Sequence, residues 1–421
     1  MTLTDEYFRE KAKIVSTCKA CGRCFRRCPV VCRTPLKGAK PNEVQQAIKD
    51  FLSGGSATPE VYHRAFSCME CFRCLDGDCP EGLNPMQVNE IVRWEYRKRG
   101  LVGDGGAADP GHPASDHRII AGIQTESEEA RRIFEPSKKK KARYVFFPGC
   151  NVYFQPDKLL SALDIMDRLE EDWAFLPGLD DCCGDVHLYS GEVERASAAA
   201  GKIVEALTAF EPEAVVLWCP TCLCRFEKTL APAMEIPFNC ISFAQFVAAR
   251  LDRLPLGPVL PRTVTLHEAC KAAYTGLDLT GAREILARLP GVTLREMDRH
   301  GKNTACCGSG AITFFPKSFA AVRDDRLEEA AATGAEVMVD VCHYCHHVFS
   351  SHAEKRGMAS VNYVSFLAEA LGIGRDDRYN RYRGMAGAEE ILADVGAIVD
   401  RSPFSREEIS AAVNRVILSD P

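Results

Sequence analysis

Twenty-one cysteines are the residues of this chain whose type and spacing could do chemistry. Many lie in short groups: two runs of four near the amino terminus, then adjacent pairs and C-x2-C pairs farther along. Cysteine-rich secreted proteins use such residues in disulfides, but they are short chains with small cores. This chain has 421 residues, of which 46% are hydrophobic, so it has enough apolar material for its cores. The cysteines are therefore interpreted as metal ligands.

The two amino-terminal runs predict two cubane [4Fe-4S] clusters. The first, Cys18 to Pro29, reads C-x2-C-x2-C-x3-C-P, the pattern of two-cluster ferredoxins, in which the fourth cysteine binds the other cluster. The second, Cys68 to Pro80, has one extra residue before its last cysteine, in an Asp-Gly-Asp turn. The predicted ligands are Cys18, Cys21, Cys24 and Cys79 for the first cubane, and Cys68, Cys71, Cys74 and Cys28 for the second.

Zinc is the alternative ligand for these runs, because it also binds C-x2-C pairs. Zinc sites close with four ligands from two separated pairs, whereas both runs here are complete tetrads that end in Cys-Pro, which favours iron. Arg23, Arg26 and Arg73 lie beside the ligands and would raise the cluster potentials, or are ordinary surface arginines. Cys32 fits neither tetrad and is interpreted as a spare thiol.

The rest of the chain contains a repeat of five cysteines. Cys150 corresponds to Cys270, Cys182-Cys183-Gly184 to Cys306-Cys307-Gly308, and Cys219-x2-Cys222 to Cys342-x2-Cys345, with offsets of 120, 124 and 123 residues. Two copies of one module are therefore predicted, packed face to face. Adjacent cysteines can serve different irons of an extended cluster, and we expect the following glycine to let the backbone approach that cluster.

The pattern of hydrophobic residues predicts the fold. The first hundred residues are expected to be helical, with helices opening at Asn42 and at Asn84-Pro85. From Arg143 the β-branched and aromatic runs RYVFFP, AVVLW, VTL and EVMVDV alternate with helical runs, one of them from about Pro156, which predicts βα units around a mainly parallel sheet. SREEISAAVNRVIL is expected to be a helix with Ser405 at the N-cap.

These patterns divide the chain into an α-helical domain with two clusters, followed by two pseudo-symmetric α/β modules. The predicted boundaries are 1–101 for the ferredoxin domain, 102–142 for a linker, 143–258 and 259–374 for the two cysteine-rich modules, and 375–421 for a helical tail.

This arrangement resembles the fused iron-sulfur subunit of heterodisulfide reductase, a two-cluster ferredoxin domain followed by two CCG domains, over about residues 18 to 345. It also resembles the iron-sulfur subunits of glycolate, lactate and anaerobic glycerol-3-phosphate dehydrogenases. The resemblance implies one or two noncubane [4Fe-4S] clusters. Their implied ligands are Cys150, Cys182, Cys183, Cys219 and Cys222 in the first half, and Cys270, Cys306, Cys307, Cys342 and Cys345 in the second.

Other interpretations of the repeat stay open. Cys219-x2-Cys222 alone would also suit a thioredoxin-like redox pair, one half could bind zinc, or both halves could be structural. His187 and His343 are candidate proton donors for disulfide reduction, and histidines that merely lie beside a cluster or at the surface are the alternative. Two further thiols, Cys224 and Cys240, are interpreted as packing residues.

The resemblance and the complete cysteine sets predict an oxidoreductase subunit that passes electrons from the cubanes to the noncubane clusters, where a disulfide is reduced or a dithiol oxidised. The alternative is an electron conduit between a flavoprotein dehydrogenase and a quinone-linked or low-potential partner. Because the chain has no flavin or nicotinamide fingerprint, other redox subunits are expected: a flavoprotein, a ferredoxin-like protein or a membrane quinone or cytochrome subunit.

Charge and hydropathy limit the partners and the location. A formal charge of -6 and a sequence pI near 6.0 argue against nucleic-acid binding, which needs a cationic surface. The first residues, MTLTDEYFREKAK, have no apolar h-region, and the sequence has no stretch of 18 or more apolar residues, so neither a signal peptide nor a membrane-spanning helix is expected. We therefore expect the protein in the cytoplasm, or peripheral on the cytoplasmic side of a membrane complex.

Overall fold

The structure of the chain is a computed structural model that describes residues 2–77, 79–103, 109–257 and 262–419. Three sequence predictions fall partly outside these ranges: the last residue of the Asp-Gly-Asp turn, residues 104–108 of the predicted linker, and the module boundary at 258/259.

The amino-terminal domain is helical. Its helices are α1 (Leu3–Thr17), α2 (Arg23–Arg26), α3 (Pro41–Leu52), α4 (Pro59–Phe66) and α5 (Pro85–Lys98). The predicted start of α5 is confirmed: the Asn84 side chain accepts from the amides of Met86 and Gln87, and Pro85 occupies the first turn. The prediction that Asn42 opens α3 was wrong by one residue. Pro41 is already helical, because its fixed φ suits the first turn.

Two four-stranded parallel sheets follow, and they have the same topology. The first has the order β2-β1-β3-β4 and the second β6-β5-β7-β8. The strands of the first sheet are β1 (Tyr144–Phe147), β2 (Trp173–Phe175), β3 (Ala214–Leu217) and β4 (Asn239–Ser242). Those of the second are β5 (Arg262–His267), β6 (Val292–Leu294), β7 (Val337–Asp340) and β8 (Ala359–Asn362). Each central strand pairs in register on both sides, for example Tyr144 with Trp173 and Ala214.

Predicted and observed strands differ only at the sheet edges. RYVFFP, AVVLW and EVMVDV form β1, β3 and β7, and the run VTL occurs in both β5 and β6. β2, β4 and β8 were not predicted, and all three are edge strands of three or four residues. β4 and β8 are polar and partly exposed, so neither shows the apolar run of a buried parallel strand.

Helices cover both sheets. Those of the first half are α8 (Pro156–Arg168), α9 (Asp185–Tyr189), α10 (Val193–Thr208), α11 (Pro220–Arg225) and α12 (Phe243–Ala248). Those of the second are α13 (Cys270–Thr275), α14 (Gly281–Arg288), α15 (Pro316–Ala332), α16 (His343–Glu354) and α17 (Tyr363–Ala370). α8 packs on α17 and α12 on α14, so an early helix of each half contacts the last helix of the other half, as expected for a pseudo-two-fold pair. One apolar core joins the two sheets, with Phe146 and Val264 among its buried members.

Two segments outside the sheets pack on each other. Residues 109–142 contain α6 (Asp116–Gly122) and α7 (Ser127–Phe134), and the chain ends with α18 (Arg378–Arg383), α19 (Ala388–Asp394), α20 (Gly396–Val399) and α21 (Arg406–Val416). α6 contacts α21, and Ile120 shares a buried cluster with Ile409. The predicted cap of α21 is confirmed by a capping box between Ser405 and Glu408. Within the described ranges no helix has the length and apolarity needed to cross a membrane.

Candidate metal centres

The two amino-terminal cysteine runs fold into loops with the same backbone. Ala20 and Glu70, each two residues after the first cysteine of its run, both have a φ of 49°. Gly22 and Phe72, each one residue after the second cysteine, have φ values of 70° and 65°. A left-handed φ is unfavourable for residues other than glycine, and such strain clusters at ligand-binding sites. The repeated strain therefore indicates two equivalent sites.

The first loop forms a pocket with α3 and the start of α5. Five cysteines line it: Cys18, Cys21, Cys24, Cys74 and Cys79. Four of these are the ligands predicted for the first cubane. Lys49 Nζ donates to the Cys18 carbonyl at 2.8 Å, and Arg26 Nη2 donates to the Cys21 carbonyl at 2.8 Å. Cations therefore hold the loop at the point where an anionic iron-thiolate cluster would form.

The second loop surrounds a buried arginine that was not predicted from the sequence. Burial alone lowers the pKa of Arg64, but the thiolates of Cys28, Cys24, Cys68 and Cys74 outweigh burial and raise it above its usual value. Three of these cysteines belong to the set predicted for the second cubane, and the pKa of the fourth, Cys71, is raised by burial and by the charges of Cys270 and Cys28. The crossed fourth cysteine of the first run thus lies with the second run.

Backbone and side-chain donors also face a sulfur of the second loop. Asn89 Nδ2 donates to Cys68 Sγ at 3.3 Å, and the Glu70 amide donates to the same sulfur at 3.4 Å. Donors to cluster sulfurs are one of the means by which a protein sets a cluster potential.

The cysteines of the two repeats lie where the parallel strands end. Cys150 follows β1 and Cys219 caps α11 after β3, while Cys270 opens α13 after β5 and Cys342 caps α16 after β7. Each C-x2-C pair therefore sits at a strand-to-helix turn, the usual position for sites in α/β proteins. All of these thiols are free.

Both cysteine sets open onto one cavity of about 420 Å³ between the halves. Nine of the ten repeat cysteines line it: Cys150, Cys182, Cys183, Cys219, Cys222, Cys270, Cys307, Cys342 and Cys345. The tenth, Cys306, has its sulfur 3.8 Å from that of Cys270. Aromatic side chains, among them Phe154, Tyr189 and Tyr344, complete the wall.

The crowded thiols fit a multi-iron group. Contacts with Cys183 and Cys219, together with burial, raise the pKa of Cys222 well above its usual value, and its sulfur lies 3.5 Å from that of Cys183. In the second half, contacts with Cys270 and Cys307, together with burial, raise the pKa of Cys306 well above its usual value. Several thiolates this close together would repel one another, and bound iron would relieve that repulsion because metals favour the thiolate form. No three potential ligands within the described ranges gather around a point suited to a single ion.

Glycines bring the backbone close at two kinds of position. Gly184 and Gly308, which follow the adjacent cysteines, have φ values of 82° and 88°, and a Cβ there would lie 2.9 Å from carbonyl oxygens of α10 and α15. These two glycines therefore allow close helix packing, and the Gly308 amide also donates to Cys306 Sγ at 3.3 Å. Gly149 lies against the cysteines of the first half: a Cβ on it would lie 2.7 Å from Cys219 Cβ and 3.3 Å from Cys222 Sγ.

The two candidate proton donors differ in position. His343 is buried and lines the cavity beside the Cys219 thiol. Burial lowers its pKa, but the thiolates of Cys219 and Cys342 outweigh burial and raise it. His187 does not line the cavity, and its Nδ1 lies 3.2 Å from the Glu192 carboxylate.

A further histidine at the cavity was not predicted from the sequence. His117, on α6, lines the wall, stacks on Phe154 at 4.2 Å and hydrogen-bonds Asn151 through Nε2 at 3.1 Å. Burial lowers its pKa to about 4, so the ring is neutral at pH 7. A histidine outside the cysteine modules gives no signal in the sequence, because only the packing of α6 brings it here.

A buried ion network joins the three domains beside the cavity. Its members, here called the junction network, are Glu70, Glu90, Arg93, Asp185, Arg225 and Lys271. Arg225 in the first module binds Glu90, Glu70 at 3.2 Å and Asp185 at 2.5 Å. Lys271 in the second module lies 3.3 Å from Asp185 and 3.8 Å from Glu70.

Three carboxylates thus face three cations at the junction. Burial opposes ionisation of Asp185, yet Lys271 and Arg225 hold its pKa down at about 2. The network was not predicted from the sequence, because its members are far apart in the chain.

Comparison with protein families explains the cysteine pattern. The family described as a 4Fe-4S dicluster domain matches residues 17–84, and the cysteine-rich domain family matches residues 144–227 and 264–350. The chain is an iron-sulfur protein with one dicluster domain and two cysteine-rich domains. Cubane clusters in the former and noncubane clusters in the latter are its cofactors, and its role is that of an electron-transfer oxidoreductase subunit.

Curated relatives align with most of this chain. One of the subunits of dihydromethanophenazine:CoB–CoM heterodisulfide reductase from Methanosarcina barkeri is 25% identical over 85% of this chain and 94% of its own length. One of the subunits of fumarate reductase (CoM/CoB) from Methanothermobacter marburgensis is 24% identical over 87% and 74%. A probable glycolate oxidase iron-sulfur subunit from Bacillus subtilis is 22% identical over 84% and 94%.

Proposed function

We propose that this chain is the catalytic subunit of a heterodisulfide reductase-like enzyme, which reduces a disulfide, or oxidises a dithiol, in the cavity between its cysteine-rich domains. The observation that carries this proposal is the shared cavity: cysteines of both repeats line one space, together with aromatic side chains. Two separate conduits would not need their thiols to face each other. A substrate with two sulfurs needs two adjacent redox groups, one for each sulfur.

The proposed cluster ligands are the sets predicted from the sequence. The cubanes take Cys18, Cys21, Cys24 and Cys79, and Cys28, Cys68, Cys71 and Cys74. The noncubane clusters take Cys150, Cys182, Cys183, Cys219 and Cys222, and Cys270, Cys306, Cys307, Cys342 and Cys345. The pocket of the first cubane, the thiols around Arg64 and the two halves of the cavity support these sets.

The proposed electron route enters the cavity from the second half. The charges of Cys71 and Cys270 act on each other strongly enough to affect the pKa of Cys71, and the loop of Cys71 packs on α13, which begins at Cys270. The second cubane therefore adjoins the cluster site of the second cysteine-rich domain. Electrons would pass from the first cubane to the second, and from there to the cavity.

Disulfide reduction breaks one S–S bond and consumes two electrons and two protons, which leaves two thiols. When bound, the clusters supply the one-electron chemistry. The chain's own residues hold the substrate between aromatic side chains, and His343, whose ring lies beside the Cys219 thiol in the cavity wall, delivers a proton to a departing sulfur. His187 is not assigned this role, because it pairs with Glu192 away from the cavity.

The second candidate function is that of an electron conduit without its own substrate, between a flavoprotein dehydrogenase and a quinone-linked or low-potential partner. The similarity to a glycolate oxidase iron-sulfur subunit favours this alternative. In either case we propose partner redox subunits and a location in the cytoplasm or at the cytoplasmic face of a membrane complex.

A matched pair of histidine variants and a panel of thiols test the proposal. Protein purified without oxygen is oxidised, mixed with each thiol and examined by electron paramagnetic resonance, and disulfide turnover is followed with a reduced dye. We expect a thiol-induced paramagnetic state, and a loss of turnover in His343→Asn of about 100-fold, since proton transfer contributes 10²- to 10⁴-fold. His187→Asn, the control, should stay within about twofold. Indifference to every thiol and disulfide would instead support the conduit.

A further inference from the structure

The proposed cluster ligands differ in exposure, and one of them reaches the surface. Among these cysteines only Cys21 is exposed, whereas the others are half-buried or buried. Cys32, the other exposed cysteine, belongs to no set. The first cubane, which rests on the ligands proposed above, is therefore the cluster closest to solvent at one of its corners. An external electron carrier can therefore come closer to this cluster than to any other proposed cluster of the chain.

The chain around this cluster has an unusual charge. Residues 13–40 contain eight lysines and arginines and no aspartate or glutamate. The whole chain has a formal charge of -6 and this segment has +8, so the rest has -14. A cationic segment in an acidic protein is a local feature, and it coincides with the loop of the exposed ligand.

The structure exposes most of these cations along the segment that contains Cys21. Seven are exposed and Lys13 is half-buried. The Arg26 guanidinium donates to the Cys21 carbonyl at 2.8 Å, so it lies at the edge of the cluster site. A Cβ on Gly22 would lie 2.5 Å from Pro41 Cβ, which brings the turn that ends in Lys40 against the same loop. The surface formed by residues 13–40 is called the basic face below.

Carboxylates neutralise only part of the basic face. Four of its cations have an acidic partner: Lys13 with Glu10 at 3.7 Å, Lys19 with Glu81 at 2.6 Å, Arg33 with Asp325 at 2.6 Å, and Lys40 with Glu43 at 2.8 Å. The other four, Arg23, Arg26, Arg27 and Lys37, form no ion pair within the described residues. Exposed pairs such as Lys19–Glu81 are weak and exchange partners easily.

We propose that the basic face docks a small acidic electron-carrier protein, which exchanges one electron at a time with the first cubane through the exposed edge at Cys21. No bond forms or breaks in this step: the carrier loses one electron and the cluster gains it, or the reverse. Complementary charge steers such encounters and raises their rate, most strongly at low ionic strength. The same charge would repel a basic carrier.

An anionic membrane is the other surface that would attract these cations. The position of the redox site favours the protein, since lipid itself has no electron to exchange and would cover the most exposed of the proposed ligands. Membrane binding is therefore an outcome that the test must separate.

Binding to two carriers of opposite charge tests the proposal. The probes are an acidic plant-type [2Fe-2S] ferredoxin and a basic cytochrome c, each titrated calorimetrically into the oxidised, cluster-loaded full chain at low salt. The test variant is Arg27→Glu with Lys37→Glu. The control is Lys138→Glu with Lys140→Glu, which makes the same change in charge at two exposed lysines outside the basic face.

We expect the ferredoxin to bind and the cytochrome not to bind. The Arg27/Lys37 variant should weaken ferredoxin binding at least tenfold at low salt, the control should change it less than twofold, and the difference should vanish at high salt, where exposed charges are screened. The rate of cluster reduction by reduced ferredoxin should follow the same order. Reduction by photoreduced 5-deazariboflavin, a small uncharged donor, should be equal in all variants.

Several results would overturn the proposal: equal weakening in both variants, salt-independent binding, or tighter binding of the cytochrome. Stronger retention on phosphatidylserine vesicles than on ferredoxin would point to a membrane. If the Arg27/Lys37 variant loses iron, Lys37→Glu alone carries the test, because residue 37 lies outside both cysteine runs. Disulfide turnover driven by deazariboflavin is measured separately, so failure of the proposed catalysis leaves this result intact.

Discussion

Replacement of Arg225 by methionine should destabilise the protein more than loss of any surface arginine. Arg225 is fully buried and binds three carboxylates from two domains, together with the Thr229 hydroxyl. Without it, Glu70, Glu90 and Asp185 face only the cations Arg93 and Lys271, which leaves one buried negative charge uncompensated. Breaking a buried ion pair in this way costs about 3–5 kcal/mol.

The urea midpoint of the anaerobic, cluster-loaded protein measures this loss. With a slope of about 3 kcal/mol per molar urea, a loss of about 3–5 kcal/mol lowers the midpoint by about 1–1.7 M. Arg253→Met is the matched control: Arg253 is 45% exposed, and its partner Glu171 keeps a second arginine, Arg250, so about 1 kcal/mol or less is expected.

A second variant restores the charge balance. In Glu90→Gln combined with Arg225→Met, two carboxylates face two cations, and the amide oxygen at position 90 can still accept from the Tyr7 hydroxyl that now binds Glu90. The double variant should therefore regain at least about 1 kcal/mol relative to Arg225→Met. Equal midpoints for Arg225→Met and Arg253→Met would refute the reasoning, because the network would then contribute no more than a surface pair.

Three further predictions concern the sites. Gly149→Ala should lose the iron of the first cysteine-rich domain, since its Cβ would lie 2.7 Å from Cys219 Cβ, whereas Gly276→Ala, with a similar φ of 72° and open space around it, should keep its iron. Cys79→Ser should lower anaerobic iron content by about four atoms, one cubane, and Cys32→Ser should not; equal iron in both would contradict the assigned set. Burial lowers the pKa of His117 to about 4 in the native protein. The unfolded chain therefore binds a proton below pH 6.5 that the native protein binds only near pH 4, and the stability decreases as the pH decreases. Between pH 7 and 5.5 this loss is about 1 kcal/mol; urea midpoints should show it missing in His117→Gln, and an unchanged pH dependence would contradict it.

Local patterns made much of this architecture predictable. The cysteine runs, the repeat and the central strands are local in sequence: C-x2-C spacing fixes which sulfurs share a loop, and apolar β-branched runs mark β1, β3, β5 and β7. Short edge strands have no such signal. The burial of Arg64 and the junction network could not be predicted from the sequence either, because arginine and glutamate are usually surface residues and only the tertiary packing buries them here. Glu70 and Arg225 are 155 positions apart, and nothing near either one indicates its partner.

The loop of Glu70 links domain assembly to the proposed electron route. Glu70 lies between Cys68 and Cys71. Its carboxylate binds Arg93 of its own domain and Arg225 of the first cysteine-rich domain, and it lies 3.8 Å from Lys271 of the second. Burial and Asp185 raise its pKa while the surrounding cations oppose them. A change at Glu70 should therefore loosen the contact that holds the second cubane against the second cysteine-rich domain.

Glu70→Gln tests this link, because it keeps the shape of the side chain and removes its charge. Reduction of the cubanes by an external donor should be unchanged, since the donor approaches the opposite, exposed cluster. Transfer onward to the cavity should slow by about tenfold or more, because a weaker contact lengthens the gap between Cys71 and Cys270. Stopped-flow spectroscopy separates the two phases. If both phases slow equally, Glu70 acts on the cubane itself; if neither slows, the junction network has no part in holding the route together.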